Sequence, residues 1–412
     1  MTSVRVLTAD LVFPGEGDAI GDGAVVVDQA GVVVDVGRAS DVLPRHAGAA
    51  VERFAGLLAP GLVNAHTHVE LSHLRGKVAG GAGFTTWVER FLVARADATD
   101  DDVARGVDVG VRELRASGTV AVGDVSNTLV AVHALARARI GGAVFHEVYG
   151  YDRARAVARL EGLTRERDEV VGAWPTDDLS YAPAPHTLST THPDVVRAAL
   201  REARALSRVT SVHLAEHPAE REFLERGTGP TMAFATRLGI DLVSFPIPRI
   251  SPIAYARELG VLAPGTLVVH LTTATREELD VVAASGASVV LCPRSNLMIE
   301  VRLPPVLDVL AAGIRPALGT DSLASNASLD VLSEAKAVSE RFPAIAARDV
   351  WRMATQSGAD ALGRRDLGRF VVGARPGVLF VEGDASAAPD ALRFFLARPP
   401  SARRLVAERG AS

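Results

Sequence analysis

Residues 56–68 read GLLAPGLVNAHTH, a small and apolar run that contains a Pro-Gly turn and closes on two histidines. The apolar run predicts a buried β-strand. Side chains two residues apart in a strand point the same way, so His66 and His68 present two imidazoles side by side at its carboxyl end. Such a pair is either half of a metal site or the decoration of an edge strand, since a lone histidine on an apolar face usually only packs.

The rest of the chain favours the metal site, because three later apolar runs also close on a potential ligand. These runs lead directly to His213, His270 and Asp321. Imidazoles and carboxylates are the ligand types that zinc and similar divalent metals take. Repetition of one pattern at several strand ends indicates a shared site, whereas a single short motif often produces a false match.

Composition limits the kind of protein that this chain forms. Its 412 residues, 48% of them hydrophobic, provide material for a large core. A net charge of −5 argues against nucleic acid as a partner. Cys292 is the only cysteine, so an intrachain disulfide is excluded, and no apolar run is long enough to span a membrane. No signal-peptide pattern is visible, and we therefore expect a cytoplasmic protein without a membrane partner.

The order of strands and helices predicts an α/β fold. From about residue 59, apolar strands alternate with helical stretches, which is typical of a parallel (β/α)8 TIM-like barrel. Active sites of such barrels lie at the carboxyl ends of the strands, so the histidines and Asp321 would meet at one mouth. After the strand that leads to His66, the predicted strands are 119–124, 143–149, 179–183, 209–213, 266–270, 287–292 and 314–321. The predicted helices are 101–117, 194–206, 276–285 and 329–341.

Both ends of the chain have strand character instead. Dense β-branched residues between Gly-rich turns predict a small β-sandwich, and its two segments would pair into one discontinuous domain. The predicted strands are 5–12, 24–27, 32–36, 369–372 and 378–381. The predicted domain boundaries are 1–58 for the first part of the sandwich, 59–364 for the barrel and 365–412 for the second part of the sandwich.

Five motifs occur in a specific order along the predicted barrel. With them the chain resembles the amidohydrolase superfamily, and its HLAE motif resembles the branch of mononuclear aminohydrolases. Two-metal relatives often carry a carbamylated lysine on the fourth strand, but Lys77 and Lys336, the only lysines, both lie elsewhere. The motifs are PGLVNAHTH at 60–68, SGT at 117–119, HLAE at 213–216, CPRSN at 292–296 and GTDS at 319–322.

The resemblance implies a catalytic metal centre. It implies one divalent metal, zinc by default and iron or manganese as alternatives, held by His66, His68, His213 and Asp321. A catalytic metal of this kind keeps one coordination position open. The residues implied in catalysis are Glu216 as the proton carrier, His270 as a hydrogen-bonding partner of the reacting groups, and Asp321. For Glu216, the alternative is a solvated residue in the first turn of a helix.

Residues near the predicted strand ends are candidates for substrate binding. Glu70 and Ser72 follow the first metal motif, where Glu70 is equally well explained as a loop carboxylate. Asn296 either contacts substrate or caps the next segment. Glu147 either serves the site or satisfies buried backbone donors. We assign no metal role to the remaining histidines considered, which more often pack or lie at the surface: His73, His186 and His217.

The closer likeness is to deaminases of adenosine-type nucleosides, including aminofutalosine deaminase. It implies hydrolytic release of ammonia from an aminated purine-like ring of a small-molecule substrate. The relatives' substrate-binding histidine aligns here with Pro183, and their tyrosine aligns with His186, which leaves a role for His186 open. Ring-opening hydrolysis of a cyclic amide such as an imidazolone is an alternative, and a non-catalytic barrel scaffold is a remote one. A homodimer is the default symmetric assembly.

Overall fold

A computed structural model describes residues 4–242 and 245–408; the ends of the predicted terminal segments, 1–3 and 409–412, lie outside this part of the chain. The chain begins with four strands of a mixed sheet. The first strand pairs antiparallel with the second and parallel with the fourth. The three predicted N-terminal strands are confirmed. The fourth strand begins at residue 50, earlier than the sequence predicts, because charged residues interrupt its first half. The four strands are β1 (Val4–Val12), β2 (Ile20–Asp28), β3 (Val33–Arg38) and β4 (Ala50–Pro60).

The GLLAPGLVNAHTH run forms two strands rather than one. β4 ends at Pro60 and β5 (Leu62–Thr67) begins a different sheet. Proline has no N–H with which to continue a ladder. Gly61 connects the two strands at a place with no room for a side chain, since a Cβ there would lie 2.3 Å from Cγ1 of Val120. The two histidines nevertheless lie at the carboxyl end of the second strand, as predicted.

Eight parallel strands follow the first sheet. They form two four-stranded sheets with the orders β5-β6-β7-β8 and β9-β10-β11-β12, and all eight predicted strands are present. The last of them is much shorter than the predicted 314–321. The strands are β5, β6 (Thr119–Ser126), β7 (Gly141–Val148), β8 (Leu179–Pro185), β9 (Thr210–Leu214), β10 (Thr266–His270), β11 (Ser288–Leu291) and β12 (Ala317–Leu318).

The two parallel sheets meet at both of their edges. At one seam Thr67 forms a parallel bridge with Asp321, whose N–H donates to the carbonyl of His66 over 3.0 Å. At the other, Thr187 bridges to His213, whose N–H donates to the carbonyl of His186 over 2.9 Å. These contacts bring the carboxyl ends of β5, β8, β9 and β12 together.

Helices separate most of the strands, and the four predicted helices are confirmed within two residues. Two of them begin with a capping box, at Thr99 and Thr275. The helices before β8 are α1 (Ala39–Arg45), α2 (Phe84–Ala96), α3 (Asp100–Ser117), α4 (Val132–Arg137) and α5 (Arg153–Val171). Those up to β11 are α6 (Pro193–Ala205), α7 (Pro218–Arg226), α8 (Pro230–Arg237), α9 (Pro252–Leu259) and α10 (Arg276–Ser285). The last are α11 (Pro293–Glu300), α12 (Val306–Ala311), α13 (Val331–Arg341), α14 (Ala347–Met353), α15 (Gln356–Ala361) and α16 (Ala391–Leu396).

The C-terminal strands β13 (Val378–Glu382) and β14 (Arg403–Ala407) complete the first sheet, whose order is β14-β13-β4-β1-β2-β3. The predicted pairing of the two chain ends is confirmed, since β13 runs antiparallel to β4. The predicted strand 369–372 is wrong, because none of these residues is in a strand; Arg369 lies in a bend and Val372 in a turn. In residues 4–242 and 245–408, the terminal strands form one continuous six-stranded sheet. No helix of that part of the chain has the length and apolar character to cross a membrane.

A buried ion pair connects the terminal sheet to the helices. Nη1 of Arg403 on β14 donates to Oδ1 of Asp330 over 2.8 Å, with 3% and 2% of the two side chains exposed. Replacing Arg403 by methionine is expected to lower the free energy of unfolding by about 3 kcal/mol, because Asp330 would keep a buried charge without its partner. Urea unfolding measures this. As a control, Arg165→Met breaks an exposed pair with Glu169 and should leave the transition unchanged; equal effects would contradict the assignment.

Candidate metal centre and active site

Four imidazoles converge at the carboxyl ends of β5, β9 and β10. The ring of His66 lies 5.0 Å from that of His68, 4.9 Å from that of His213 and 5.7 Å from that of His270, centroid to centroid. His66 and His270 are fully buried. The structure therefore brings together the four histidines that strand periodicity placed at strand ends.

Asp321 completes the cluster from the loop after β12. Its Oδ1 lies 3.6 Å from Nε2 of His68 and 3.9 Å from Nε2 of His66. Its Oδ2 accepts a hydrogen bond of 2.6 Å from the hydroxyl of Ser295, which follows β11. With φ at +60°, Asp321 departs from the extended conformation.

The donor set fits a divalent metal. Both ring nitrogens of His66 are buried and have no hydrogen-bond partner among the described residues, an arrangement that is costly unless another group binds them. One ligand atom each from His66, His68 and His213 lie within 4.8 Å of one another. Nδ1 of His213 lies 2.9 Å from the carbonyl of His186, to which it donates, so its Nε2 is left free to bind.

The electrostatics of the cluster favour the same conclusion. Burial, with the neighbouring His213 and His68, holds the pKa of His66 well below its usual value, so this imidazole is neutral. Burial raises the pKa of Asp321, but His68, His270 and the hydroxyl of Ser295 outweigh it and lower that pKa, so the carboxylate is ionised. Neutral imidazoles beside an ionised carboxylate are the protonation states that metal binding requires.

Glu216 lies at the edge of the cluster, in the turn between β9 and α7. Its Oε1 is 3.6 Å from Nε2 of His270, and the residue is 5% exposed. Burial, followed by the charges of Asp321 and Glu220, raises the pKa of Glu216 well above its ordinary value. The turn itself is held by Glu220, whose carboxylate accepts the N–H of Glu216 over 2.8 Å and that of Ala215 over 3.2 Å. Glu216 is thus a fixed, desolvated carboxyl group and not a solvated helix residue.

His270 is oriented from behind by Asn296. The Nδ2 of Asn296 lies 3.3 Å from Nδ1 of His270 and donates to it, so the hydrogen of the neutral imidazole is on Nε2. That Nε2 faces Glu216 and has no hydrogen-bond partner in the described part of the chain. His270 is therefore placed as a donor beside the metal cluster, and Asn296 acts through it and does not line the cavity.

Several residues at these strand ends have a strained backbone conformation. Ala215, His270, Leu271 and Asp321 all have positive φ, between +49° and +81°. Residues other than glycine rarely adopt this backbone conformation, and those that do so cluster at functional sites. At each of these positions the backbone changes direction, close to where a strand ends and a residue of the candidate site follows.

Glu70 and Ser72 are placed differently from the substrate contacts that we predicted. The carboxylate of Glu70 accepts hydrogen bonds from the loop after β6, including 2.7 Å from the hydroxyl of Ser126 and 2.9 Å from the N–H of Thr128. Ser72 packs against Gly110 of α3. Neither Glu70 nor Ser72 is among the described residues that line the cavity. Glu70 organises a loop because its carboxylate satisfies that loop's donors.

Glu147 and His186 do line the cavity that opens from the cluster. Oε2 of Glu147 accepts a hydrogen bond of 2.9 Å from Nδ2 of Asn127. The buried Oε1 of Glu147 lies 3.8 Å from Nδ1 of His213. The Nδ1 of His186 lies 2.7 Å from the hydroxyl of Thr190. Burial lowers the pKa of His186 to about 3, so it presents a neutral ring to the cavity.

The cavity has a volume of about 280 Å³ and an aromatic outer wall. Helix α2 contributes much of that wall, and α8 faces it. Sequence reasoning missed these residues because no motif or spacing connects them to the metal ligands. They include Phe84, Trp87, Phe91, Tyr149, Tyr151 and Phe234.

Gly319 determines where His66 lies. A Cβ at Gly319 would lie 2.6 Å from Cβ of His66 and 2.8 Å from its carbonyl oxygen. Gly319→Ala is expected to displace His66, lowering the free energy of unfolding by about 1–3 kcal/mol and metal affinity about tenfold or more. Thermal unfolding and zinc competition with a chelator measure both effects. Gly21→Ala, in open space on β2, is the control; if the two variants bind zinc equally well, this constraint on His66 is refuted.

Comparisons with known proteins agree with this geometry. Residues 57–401 match the model of the amidohydrolase family. A 5-methylthioadenosine/S-adenosylhomocysteine deaminase of Halobacterium salinarum is 33% identical over 385 residues, covering 89% of this chain and 81% of that protein.

Two solved structures share the fold. Aminofutalosine deaminase of Helicobacter pylori, in complex with methylthio-coformycin, has a TM-score of 0.85 at 22% identity and covers 97% of this chain and 100% of its own. An adenosine deaminase from Xanthomonas campestris with bound zinc has a TM-score of 0.77 at 24% identity and covers 98% of this chain and 93% of its own. The extent of the family match shows that the chain belongs to the amidohydrolase family.

Proposed function

We propose that this protein is a metal-dependent aminohydrolase that replaces the amino group of a purine-like ring in a nucleoside by oxygen and releases ammonia. The observation that carries the proposal is the desolvated carboxyl group of Glu216, 3.6 Å from the donor His270 and beside the ligand cluster. The relative with 33% identity and the two structural neighbours bear the names of deaminases of adenine-containing compounds, which supports this substrate class.

The metal ligands in this proposal are His66, His68, His213 and Asp321, with zinc as the metal. A divalent metal at this position would act as a Lewis acid that makes water a nucleophile at neutral pH. The zinc in one structural neighbour supports the choice of metal, and the unpartnered nitrogens of His66 support the ligand set.

Glu216 and His270 carry out the proton chemistry. Glu216 takes a proton from the attacking water and delivers it to a ring nitrogen while the hydroxyl adds to the ring carbon. The hydrogen of that hydroxyl then passes to the amino group, which leaves as ammonia as the carbonyl forms. A buried carboxyl group with a raised pKa is suited to holding that proton between the two steps. The Nε2–H of His270 donates to the oxygen that adds to the ring or to the departing amine.

The lining of the cavity favours a planar heteroaromatic substrate. Phe84, Trp87 and Phe91 give it an aromatic wall, and Glu147 and His186 supply polar groups between that wall and the metal ligands. Apolar walls with a few convergent polar groups are typical of small-molecule sites. In this arrangement the wall contacts the part of the nucleoside that is distant from the amino group.

We also infer that β5 to β12 close into one (β/α)8 barrel formed by residues 59–364, with 1–58 and 365–412 as a separate, discontinuous domain. The bridges between Thr67 and Asp321 and between Thr187 and His213 support closure. The pairing of β13 with β4 supports the discontinuous domain.

Ammonia release from the zinc-loaded protein tests the proposed function. We expect release from adenosine, 5′-methylthioadenosine, S-adenosylhomocysteine or aminofutalosine, together with the absorbance change of an amino-to-oxo conversion. A product formed from a cyclic imidazolone without ammonia would instead identify a ring-opening hydrolase. Lack of ammonia from every aminated purine nucleoside would refute the proposal.

A further inference from the structure

His217 is a buried histidine that the chemistry proposed above does not use. It follows Glu216 directly and is the N-cap of α7, with 4% of its surface exposed. It lines the same cavity as Glu216, His186 and the aromatic wall. The sequence indicates a packing or surface histidine, but in the structure this residue lines the cavity.

Two contacts fix the ring of His217. Its Nδ1 lies 3.1 Å from the N–H of Glu220, from which it accepts a hydrogen bond as the cap of α7. Its face stacks on Phe84 of α2, with the centroids 3.8 Å apart and the planes 10° apart. The ring is therefore held at one edge by a helix terminus and on one face by the wall of the cavity.

These contacts also fix the position of the ring's hydrogen. A nitrogen that accepts a backbone N–H carries no hydrogen of its own, so the hydrogen of the neutral imidazole is on Nε2. Burial, together with His270 and His186, lowers the pKa of His217 to about 3, which keeps the ring neutral.

The Nε2–H of His217 is a donor without a protein acceptor. Within residues 4–242 and 245–408, none of the hydrogen bonds or ion pairs of His217 involves this atom. This atom is not one of the fully buried polar atoms that lack a partner, and His217 lines the cavity, so the Nε2–H is open to a ligand that can accept its hydrogen. The neighbouring Glu216 handles one ring nitrogen of the substrate, so a second acceptor of the same ring would lie within reach of His217.

We propose that His217 is a specificity-determining residue whose Nε2–H donates to a second ring nitrogen of the aminated heteroaromatic substrate, one that Glu216 does not protonate. This inference rests on the proposed function. It identifies the substrate class more narrowly, as rings that carry an acceptor nitrogen outside the amidine on which the reaction occurs. Rings with carbon at that place lose the contact and are poor substrates.

Two variants separate the donor from the helix cap. Asparagine at 217 keeps an acceptor close to the backbone for the N–H of Glu220 but has no atom at the place of Nε2. Glutamine places an amide N–H near Nε2 but loses the cap. We expect H217N to keep the thermal stability and zinc content of the unmodified protein and to lose about 10- to 100-fold in kcat/KM. We expect H217Q to unfold at a lower temperature and to keep kcat/KM within about fivefold.

Substrate analogues identify the acceptor. We take the nucleoside that the unmodified protein deaminates best and its 3-deaza and 7-deaza analogues, and measure the ratio of kcat/KM between the unmodified protein and H217N. The intrinsic reactivity of each analogue cancels in this ratio. For the analogue that lacks the acceptor nitrogen, the ratio should fall to within about threefold of one. H217N with unchanged kcat/KM, or the same ratio for all three compounds, overturns the inference and leaves the proposed function standing. No ammonia from any nucleoside with the unmodified protein overturns both.

Discussion

Replacing His213 by alanine is expected to remove the bound metal and to lower kcat/KM at least about a thousandfold, since the Lewis acid supplies several kcal/mol of transition-state stabilisation. His213 is the ligand of the cluster whose ring is fixed by a hydrogen bond of its own, 2.9 Å from Nδ1 to the carbonyl of His186. Its removal also relieves the crowding of imidazoles around His66. Metal content by atomic emission and ammonia release, measured on the same sample, check this result.

The control for this change is a histidine outside the cluster. His133 on α4 has its Nε2 2.9 Å from the carbonyl of Val171, far from the cavity lining, and His133→Ala should keep both metal and turnover. If the His213 variant retained a full equivalent of metal, the ligand set would be wrong. If it lost the metal but kept its activity, the metal would have no part in the reaction.

Replacing Glu216 by glutamine is expected to lower kcat about a thousandfold, the range of a lost general acid–base group. Glutamine has the same shape and keeps the backbone contacts to Glu220, but it cannot take up and release a proton. The metal content should be unchanged, because Glu216 is not among the four proposed ligands. Steady-state kinetics with a metal analysis separate this effect from the loss of a ligand.

Glu225 on α7, the helix that follows Glu216, offers a matched control. Its carboxylate is partly exposed and pairs with Arg221, and Glu225→Gln should leave turnover unchanged. A Glu216 variant with normal metal content and normal kcat would show that another group carries the proton. His270 would then be the first residue to examine, because its Nε2 lies 3.6 Å from the Glu216 carboxylate.

Local periodicity predicted which residues meet in the candidate metal cluster. His66, His213 and His270 each lie in the last two residues of a strand, where an apolar run becomes polar, and parallel strands bring such ends together. Asp321 was found in the same way, although only two residues of its predicted strand are extended. The pairing of β13 with β4 also followed from strand patterns at the two ends of the chain.

Long-range packing hid the rest. Nothing in the residues around Glu70 shows that its carboxylate would be consumed by the donors of Ser126, Asn127 and Thr128. The aromatic wall from α2 depends on how that helix lies over the strand ends, which its sequence does not encode. His217 was assigned to packing because its role depends on two contacts, with Glu220 and Phe84, at different distances along the chain.

Titration of the metal-free protein with zinc tests the central claim most directly. Chelator-treated protein should release no ammonia from the preferred nucleoside, and activity should rise linearly with added zinc to a plateau at one equivalent per chain. His66, His68, His213 and Asp321 would then form the mononuclear centre that the geometry indicates. A plateau at two equivalents, or full ammonia release without metal, would contradict this account.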